Sequence, residues 1–366
     1  MTSKAEFQPD WASSPGETIA DILEERGLSL VAFAKSMRYT PSEATDLLQG
    51  RSTVTIAVAR RLEQALGASV AFWMSRDFQY REDSMKLHAD EQDWLAELPV
   101  GDMVKFGWLT PVPHPSEEVA ACLRFFDIPT VRAWRRTYAR VQDVVAFKTS
   151  PTLDSRPAAV AAWLRQGEIA AGAIECGTWD ARRFRESLAE IRSQTREKNP
   201  KRFIPALRAR CAKHGVAVAV VRAPSGCRAS GATRFLSIDK ALLLLSFRYL
   251  THDHFWFAFF HEAGHLLLHG RQRLFLEDTG APPTAEEHEA NEFAANILIP
   301  TEFHSALLSL PFNSREVIGF ARHVGVAPGI VVGQLQHRKK LGQNQLNGLK
   351  RRFTWDSQAM ANRGMV

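Results

Sequence analysis

Two histidines and a glutamate lie close together in the sequence at a spacing that suits metal-assisted hydrolysis. His261, Glu262 and His265 form the pattern H-E-x-x-H. On a helix, His261 and His265 lie one turn apart on the same face, so their imidazole nitrogens can reach a single metal ion. Glu262 lies about 100° around the helix from His261, where a general base for a bound water should sit. The pattern therefore predicts a metal-dependent hydrolase with Glu262 as its base.

A second amphipathic segment downstream predicts the third metal ligand. Residues 285–299 carry apolar side chains at helical period and end before a proline. Glu287 on this helix can complete a His-His-Glu site with one open coordination position, which is the catalytic arrangement of zinc. Asn291 lies one turn later on the same face and can hold a ligand histidine by a hydrogen bond. Glu286 and Glu289 remain alternative third ligands, because one sequence does not fix the phase of a helix.

These two segments together resemble the ImmA/IrrE family of metallopeptidases. The first reads H-E-A-G-H-L-L-L-H, the second reads E-x-x-x-N-x-F-A-A-x-x-L-x-P, and the match covers residues 205–305. The resemblance implies that His261, His265 and Glu287 bind the metal and that Glu262 is the base of a gluzincin-like endopeptidase. It also implies that the substrate is a transcriptional repressor, often itself a helix-turn-helix protein, cut in response to stress or mobile-element signals.

The chemistry of the site leaves two assignments open. Histidine and carboxylate ligands fit zinc best, with manganese as the alternative ion. Amide hydrolysis also needs a hydrogen-bond donor for the oxyanion. Several tyrosine and histidine side chains lie near the motif in the sequence, and Tyr249 and His269 are the candidates among them. His269 is equally consistent with a cap at the C-terminal end of the first helix. The alternative to the whole site is a buried helix with satisfied histidines.

Short helical patterns at the beginning of the chain predict a DNA-binding fold. Ser29 is a good N-cap for a helix over Leu30–Met37, and Thr40 or Ser42 can begin the helix that ends at Leu48. A tight turn between these two helices is typical of a helix-turn-helix domain. The segments P-G-E-T-I-A-D-I-L-E-E-R-G-L-S and L-L-Q-G-R-S-T-V-T resemble the HigA-type branch of the Xre helix-turn-helix family.

The charge of this domain does not favour DNA. Seven basic and seven acidic side chains balance one another between residues 14 and 76, whereas phosphate neutralisation supplies most non-specific affinity. The predicted recognition helix carries Glu43 and Asp46, and Arg38 stands in the turn where the family usually has glycine. The alternative is a domain kept for dimerisation or partner contact. The candidate DNA contacts are Ser42, Thr45, Gln49 and Arg51.

The length and composition fit several domains. The chain has 366 residues and 45% hydrophobic content, enough for real cores. Apolar runs at 215–221 and 241–247 predict strands, and the second is either a sheet edge that a substrate chain can extend or a buried central strand. The expected fold is multi-domain and mostly α: a flexible lead-in (1–13), an all-α helix-turn-helix domain (14–82), a helical middle region (83–202), an α+β zincin-like peptidase domain (203–310), and C-terminal helices with a basic tail (311–366).

The remaining composition limits the location and the partners. No apolar run approaches a membrane span and no charged-then-apolar leader opens the chain, so a cytoplasmic protein without membrane contact is expected. The four cysteines form no C-x-x-C pair, which argues against a thiolate zinc site. A net charge of +6 suits nucleic acid without requiring it.

Two classes of function therefore compete. The first is a metal-dependent endopeptidase joined to an Xre-type domain, with a protein substrate, operator DNA and a homodimer as its expected partners. The second is a HigA-like antitoxin or transcriptional repressor whose peptidase-like domain is a non-catalytic sensor or partner-binding module. A third interpretation makes the chain the toxic member of a toxin–antitoxin pair.

Overall fold

The computed structural model describes residues 11–148, 155–270, 275–277 and 284–355. Contacts group them into two compact units: the first ends at Ala96 and takes in Pro129–Ala133, and the second contains the remaining described residues. The expected fold class is confirmed, because the described chain is mostly helical and the only described sheet lies in the second unit. Residues 1–10 of the predicted lead-in and 356–366 of the predicted tail lie outside the described residues.

Side-chain caps fix the starts of all of the first five helices. The hydroxyl groups of Ser14, Ser29, Thr40, Thr55 and Ser69 each accept a backbone N–H from the first turn of the helix that follows. The predicted caps at Ser29 and Thr40 are therefore confirmed. The five helices are α1 (Pro15–Glu25), α2 (Leu30–Met37), α3 (Pro41–Leu48), α4 (Ile56–Leu66) and α5 (Val70–Glu97).

The turn between α2 and α3 is tight, as the sequence predicted. Arg38 follows α2 with a φ of 55°, the left-handed conformation that favours glycine. Its backbone N–H closes the last turn of α2 on the carbonyls of Ala34 and Lys35. Buried apolar side chains from all five helices then form one core: Ile19, Phe33, Met37, Leu47, Leu62 and Trp73.

Helix α5 crosses the boundary that was expected between the helix-turn-helix domain and the helical middle region. It begins at Val70 and continues without a break to Glu97. Residues 81–90 contain no glycine or proline, and ion pairs one turn apart support this stretch: Arg81 with Asp77 at 2.7 Å, and Lys86 with Glu82 at 2.9 Å. The helix therefore runs through residue 82, where the helix-turn-helix domain was expected to end.

Helices also dominate the chain between residues 97 and 212. The helix over Pro157–Gly172 packs so closely on the strand that carries Leu244 that a Cβ on Gly167 would lie 2.5 Å from the Leu244 side chain. The Trp163 indole N–H also donates to the carbonyl of Val221 at 2.9 Å. The helices are α6 (Val100–Lys105), α7 (Pro115–Phe126), α8 (Val131–Lys148), α9 (Pro157–Gly172), α10 (Ala181–Ser193) and α11 (Pro200–Ala212).

The second unit contains a four-stranded mixed sheet with the order β1-β3-β2-β4. Its strands are β1 (Val216–Val220), β2 (Gly231–Phe235), β3 (Ala241–Leu245) and β4 (Phe275–Glu277). β3 pairs in parallel with β1 and antiparallel with β2, so the Leu-rich strand is central and not an edge. Of the two alternatives that the sequence left open, the central strand is correct.

Both faces of β1 and β3 are covered, which explains their continuous apolar sequences. Val218 and Leu243 belong to the core that also contains side chains of the helix over His252–Leu268, whereas Leu244 contacts α9 on the opposite face. A strand that is buried on both sides shows no polar alternation. The run of leucines therefore reflects burial and not pairing at a sheet edge.

The chain after the sheet is again helical. The helices are α12 (His252–Leu268), α13 (Ala285–Leu298), α14 (His304–Leu308), α15 (Ser314–Val324) and α16 (Pro328–His337). After α16 the chain returns to the start of α12, where the Phe353 N–H donates to the carbonyl of Leu250 at 2.7 Å. In the described part of the chain, no single helix is long and apolar enough to cross a membrane, and α15 with α16 reaches that composition only as a pair bent by 107°.

Candidate metal centre

The helix that carries H-E-x-x-H is buried along most of its length. His261, Glu262 and His265 are all at most 1% exposed. Helix α12 lies against β2 and β3 and packs along α13. The apolar flanks of the motif, which include Phe259 and Phe260, fill the core beside the sheet. Burial therefore restricts the positions that the two histidine side chains can take beside the sheet.

Two local features bring α13 to this helix. Thr284 caps α13 by accepting the backbone N–H of Glu287 at 3.3 Å, which fixes the turn that carries this glutamate. Gly264 and Ala290 then allow the two helices to approach closely. A Cβ on Gly264 would lie only 3.1 Å from the Phe293 ring and 3.3 Å from the Ala290 Cα. Small residues at this crossing place the Glu287 carboxylate beside the histidines.

Three potential ligand atoms converge at this point. The Nε2 atoms of His261 and His265 are 3.0 Å apart, and Glu287 Oε2 lies 3.1 Å from the first and 3.6 Å from the second. Tetrahedral ligands at zinc bond lengths of about 2.0–2.1 Å would lie about 3.3 Å from one another. The observed separations are close to this value, so the three side chains fit a divalent ion.

The outer nitrogen of His261 is held in an orientation that suits ligation. His261 Nδ1 lies 3.0 Å from Asn291 Oδ1. Because a carbonyl oxygen only accepts, Nδ1 carries the proton and Nε2 presents its lone pair toward His265 and Glu287. Asn291 therefore lies where the sequence predicted a supporting hydrogen bond.

A chain of hydrogen bonds that the sequence analysis did not predict supports His265. Its Nδ1 lies 2.9 Å from His269 Nδ1, and His269 Nε2 lies 3.0 Å from Glu289 Oε2. Both ring nitrogens of His269 are thus engaged behind His265. The signal was present in the sequence, because His269 follows His265 by four residues and so lies on the same helix face.

Burial also sets the protonation state of the centre. It lowers the pKa of His265 to about 4, while the hydrogen bond to the Glu287 carboxylate acts in the opposite direction and His261 nearby lowers the pKa further. His265 is therefore a neutral imidazole at neutral pH. Neutral imidazole is the form that binds metal ions.

The predicted base Glu262 lies against the first residue of β2. A Cβ on Gly231 would lie 2.4 Å from Glu262 Oε1 and 2.6 Å from its Cγ. Only glycine therefore leaves room for this carboxylate between α12 and the sheet. Gly231 was not identified from the sequence as part of the site, whereas His269 was predicted there as a candidate donor to the oxyanion.

The other predicted site residues are spread around the centre. Tyr249 is 40% exposed, stacks near His254 at 4.5 Å between ring centroids, and lines a cavity that also includes Asn291. The three converging atoms include one from Glu287 and none from the alternatives Glu286 and Glu289. Glu289 instead forms the end of the His269 chain.

The acidic residues of the predicted recognition helix have local partners. The Glu43 carboxylate accepts from the backbone N–H of Thr40 at 2.7 Å, which completes a capping box and lowers the pKa of Glu43. Asp46 is bound by Arg51 at 2.5 Å. Of the candidate DNA contacts, Ser42, Gln49 and Arg51 are exposed, whereas Thr45 is half-buried and its hydroxyl donates to the Pro41 carbonyl.

Known proteins resemble both units of the chain. Residues 214–336 match the peptidase M78 family model described as an IrrE N-terminal-like domain, and residues 19–73 match the model described as a helix-turn-helix. A protein of Escherichia coli (strain K12), named an uncharacterized HTH-type transcriptional regulator YddM, is 36% identical over 61 residues. That alignment covers 17% of this chain, and the chain spans 65% of the relative's length.

These matches confirm the two resemblances drawn from sequence motifs. The chain contains a helix-turn-helix domain followed by an IrrE-like peptidase domain. The peptidase match includes all three residues whose atoms converge, together with Glu262.

Proposed function

We propose that this chain is a metal-dependent endopeptidase joined to a helix-turn-helix domain that binds operator DNA. Zinc is the proposed ion, with manganese as the alternative. The observation that carries the proposal is the convergence of His261 Nε2, His265 Nε2 and Glu287 Oε2 within 4.8 Å, beside the buried Glu262. The proposed substrate is a transcriptional repressor with a helix-turn-helix of its own, cut under stress or on a mobile-element signal.

The side chains divide the work of amide hydrolysis. The bound ion supplies Lewis-acid polarisation and lowers the pKa of water. Glu262 takes the proton of the attacking water and delivers it to the leaving nitrogen. Asn291 and His269 orient His261 and His265 through the hydrogen bonds described above. Tyr249 is the proposed donor to the oxyanion, whereas the position of His269 fits an orienting role better.

Metal content tests the centre directly. Elemental analysis of the purified protein should find about one zinc or manganese per chain, and His261→Ala and Glu287→Ala should each lose it. His288→Ala and Glu292→Ala are matched controls, because both residues are exposed on α13. Wild-type protein that stays metal-free after zinc is added would exclude the centre.

Cleavage tests the reaction. A mixed-sequence peptide library, analysed by mass spectrometry, should show new amino and carboxyl termini with the wild type and none with Glu262→Gln. The Glu262→Gln variant should keep its metal, since Glu262 is not a proposed ligand. In cells, expression of the wild type should produce a new N-terminus in one repressor, and expression of Glu262→Gln should not. Cleavage that persists in Glu262→Gln would remove Glu262 from the mechanism.

A second candidate function is supported by the helix-turn-helix match and by the name of the relative. In this case the chain is a HigA-like antitoxin or transcriptional repressor, and its peptidase-like domain senses or binds a partner such as a toxin. Operator binding that is unchanged in Glu262→Gln, together with absent cleavage in the wild type, would favour this function. Ser42→Ala and Gln49→Ala should then weaken sequence-specific binding, because both side chains are exposed on or just after α3.

A further inference from the structure

A cavity of about 330 Å³ lies next to the proposed centre in the second unit. Four of its lining residues adjoin the site. Asn291 hydrogen-bonds His261, Phe257 and Ala258 precede His261 and Glu262 by one helical turn, and Ser230 precedes the glycine that contacts Glu262. One helical turn is about 5.4 Å long and one extended residue about 3.3 Å. When the amide bond to be cut lies at the proposed centre, a neighbouring side chain of the substrate can therefore reach the cavity.

The charged groups of the cavity wall neutralise one another. Asp253, in the first turn of α12, is 5% exposed, and its Oδ2 accepts from Lys350 Nζ at 2.7 Å. Among the lining residues that the structure describes, these are the only acid and the only lysine or arginine. A Cβ on Gly333 of α16 would lie 3.0 Å from the same Oδ2, so this glycine leaves room for the carboxylate. The wall therefore carries a buried ion pair with no net charge.

The segment that carries Lys350 is held at both ends. Near its start, the Gln336 side-chain amide nitrogen lies 3.0 Å from the Gln345 carbonyl and 3.0 Å from Asn347 Oδ1. Just beyond Lys350, the His252 N–H donates to the Arg351 carbonyl at 3.0 Å. These bonds hold the backbone of the segment from which the Lys350 side chain reaches Asp253.

The rest of the lining is polar and uncharged or apolar. Gln334 is 4% exposed and lines the cavity from α16, and the Phe257 and His337 rings lie 6.2 Å apart. A charged side chain entering this space would lose water and find its opposite charge already paired. An uncharged side chain with hydrogen-bonding groups avoids that cost and can bond the amide and hydroxyl groups of the wall.

We propose that this cavity selects an uncharged polar side chain of the substrate, of the asparagine or glutamine class, and that the Asp253–Lys350 pair sets this preference by cancelling charge. The inference rests on the proposed peptidase function for the identity of the ligand. Asp253 and Lys350 are specificity-determining residues in this account and take no part in proton transfer.

Neutralising either member of the Asp253–Lys350 pair should change the preferred substrate side chain, in opposite directions for the two residues. The full-length Glu262→Gln protein, loaded with zinc, is used to capture peptides from a synthetic mixed-sequence library, and the bound peptides are sequenced. Asparagine and glutamine should be enriched at one position. Adding Lys350→Met should shift that position toward lysine and arginine by about tenfold, and adding Asp253→Asn should shift it toward aspartate and glutamate by a similar factor. The double variant Asp253→Asn/Lys350→Met restores neutrality and should recover the original preference.

The outcomes separate this inference from the peptidase function. If the Glu262→Gln protein captures peptides with the expected preference but the wild type cleaves none of them, the inference about the cavity is supported and the catalytic proposal is removed. Cleavage by the wild type with a charged, apolar or absent preference would overturn the cavity and leave catalysis intact. Absence of any captured peptide would overturn the cavity inference. Metal content and circular dichroism of each variant report whether it has folded. If one single variant does not fold, the side-chain preference of the double variant tests the inference about the cavity.

Discussion

At the residue scale, the site depends on side chains that support the converging atoms as much as on those atoms themselves. His261 is oriented by Asn291, and His265 is oriented by His269 and Glu289. Such hydrogen bonds fix the tautomer and the ring direction before an ion binds. The consequences of removing them are therefore measurable as changes in metal affinity.

Asn291→Ala should weaken metal binding about 10–100-fold, because His261 loses the partner that holds its Nδ1 proton. Competition with a chelator of known affinity measures the change. Asn291→Asp keeps an accepting oxygen and should recover most of the affinity. Asn296→Ala, an exposed asparagine on the same helix, should have no effect. Equal affinities for Asn291→Ala and Asn296→Ala would show that this hydrogen bond does not support the centre.

His252, at the start of α12, should make the second unit sensitive to acid. Burial lowers its pKa from 6.5 to about 4, and Arg351 nearby lowers the pKa further. The unfolded chain therefore binds a proton that the folded chain does not. Stability should be complete above pH 6.5 and fall as the pH drops from 6.5 toward 4, by about 2 kcal/mol at pH 5.

Denaturant unfolding of the metal-free protein at pH 7 and pH 5 checks this expectation. His252→Gln keeps an acceptor for the Trp256 indole N–H, which lies 3.1 Å from His252 Nε2, and should lose less stability on acidification than the wild type. His323→Gln replaces an exposed histidine and should behave as the wild type does. Identical pH dependence in all three proteins would contradict the prediction.

At the scale of single elements, two positions decide how helices meet. Arg38 ends α2 in the left-handed conformation, which costs a residue with a Cβ about 1–2 kcal/mol. Gly264 allows α12 and α13 to cross closely. The first position is occupied by a residue that strains the backbone, and the second by the residue that the geometry requires.

Arg38→Gly should stabilise the helix-turn-helix domain by up to about 1 kcal/mol, because glycine adopts a positive φ without strain. The midpoint of thermal unfolding of this domain should rise. Arg60→Gly is the matched control, since Arg60 is exposed within α4 and glycine there should cost about 1 kcal/mol. A decrease in stability for both variants would mean that Arg38 makes a contact that outweighs its strain.

Gly264→Val should separate α12 from α13, with a loss of about 1–3 kcal/mol in stability and weaker metal binding. The Cβ alone would be 3.1 Å from Phe293, and the branched side chain needs more room than that. Gly319→Ala on α15 meets nothing within 4 Å and should be neutral or slightly stabilising. Metal affinity that is unchanged in Gly264→Val would show that the crossing does not position Glu287.

At the scale of the whole molecule, residues far apart in sequence close the core of the second unit. Phe353 packs on Phe203 and Phe247 with ring centroids 6.0 and 5.3 Å apart. Phe353→Ala should therefore destabilise the second unit, by roughly 2 kcal/mol for a partly buried ring. Amide hydrogen exchange should accelerate in α11 and α12 and stay unchanged in α1–α4. Faster amide hydrogen exchange in both units would contradict the expectation that each unit has a core of its own.

The sequence by itself identified the residues of the candidate centre and the class of fold. H-E-x-x-H and the later glutamate and asparagine have helical spacings, so local periodicity alone places each set on one face. The caps at Ser29 and Thr40 are equally local, because a side chain there bonds a backbone group three residues away. The family matches confirm the helix-turn-helix domain and the IrrE-like domain that these short patterns predicted.

Tertiary structure alone decided how the residues of α12 and those of α13 come together at the centre. The choice of Glu287 over Glu286 and Glu289 depends on the phase of α13 against α12, and Gly264 and Ala290 set that phase through packing. The central position of β3 depends on pairing with both β1 and β2, whereas the leucine run favours burial of the strand without specifying its partners. Gly231 and Lys350 belong beside the site only because strands and segments distant in sequence meet there. Contacts of this kind arise from packing of the whole unit and have no local periodicity from which to predict them.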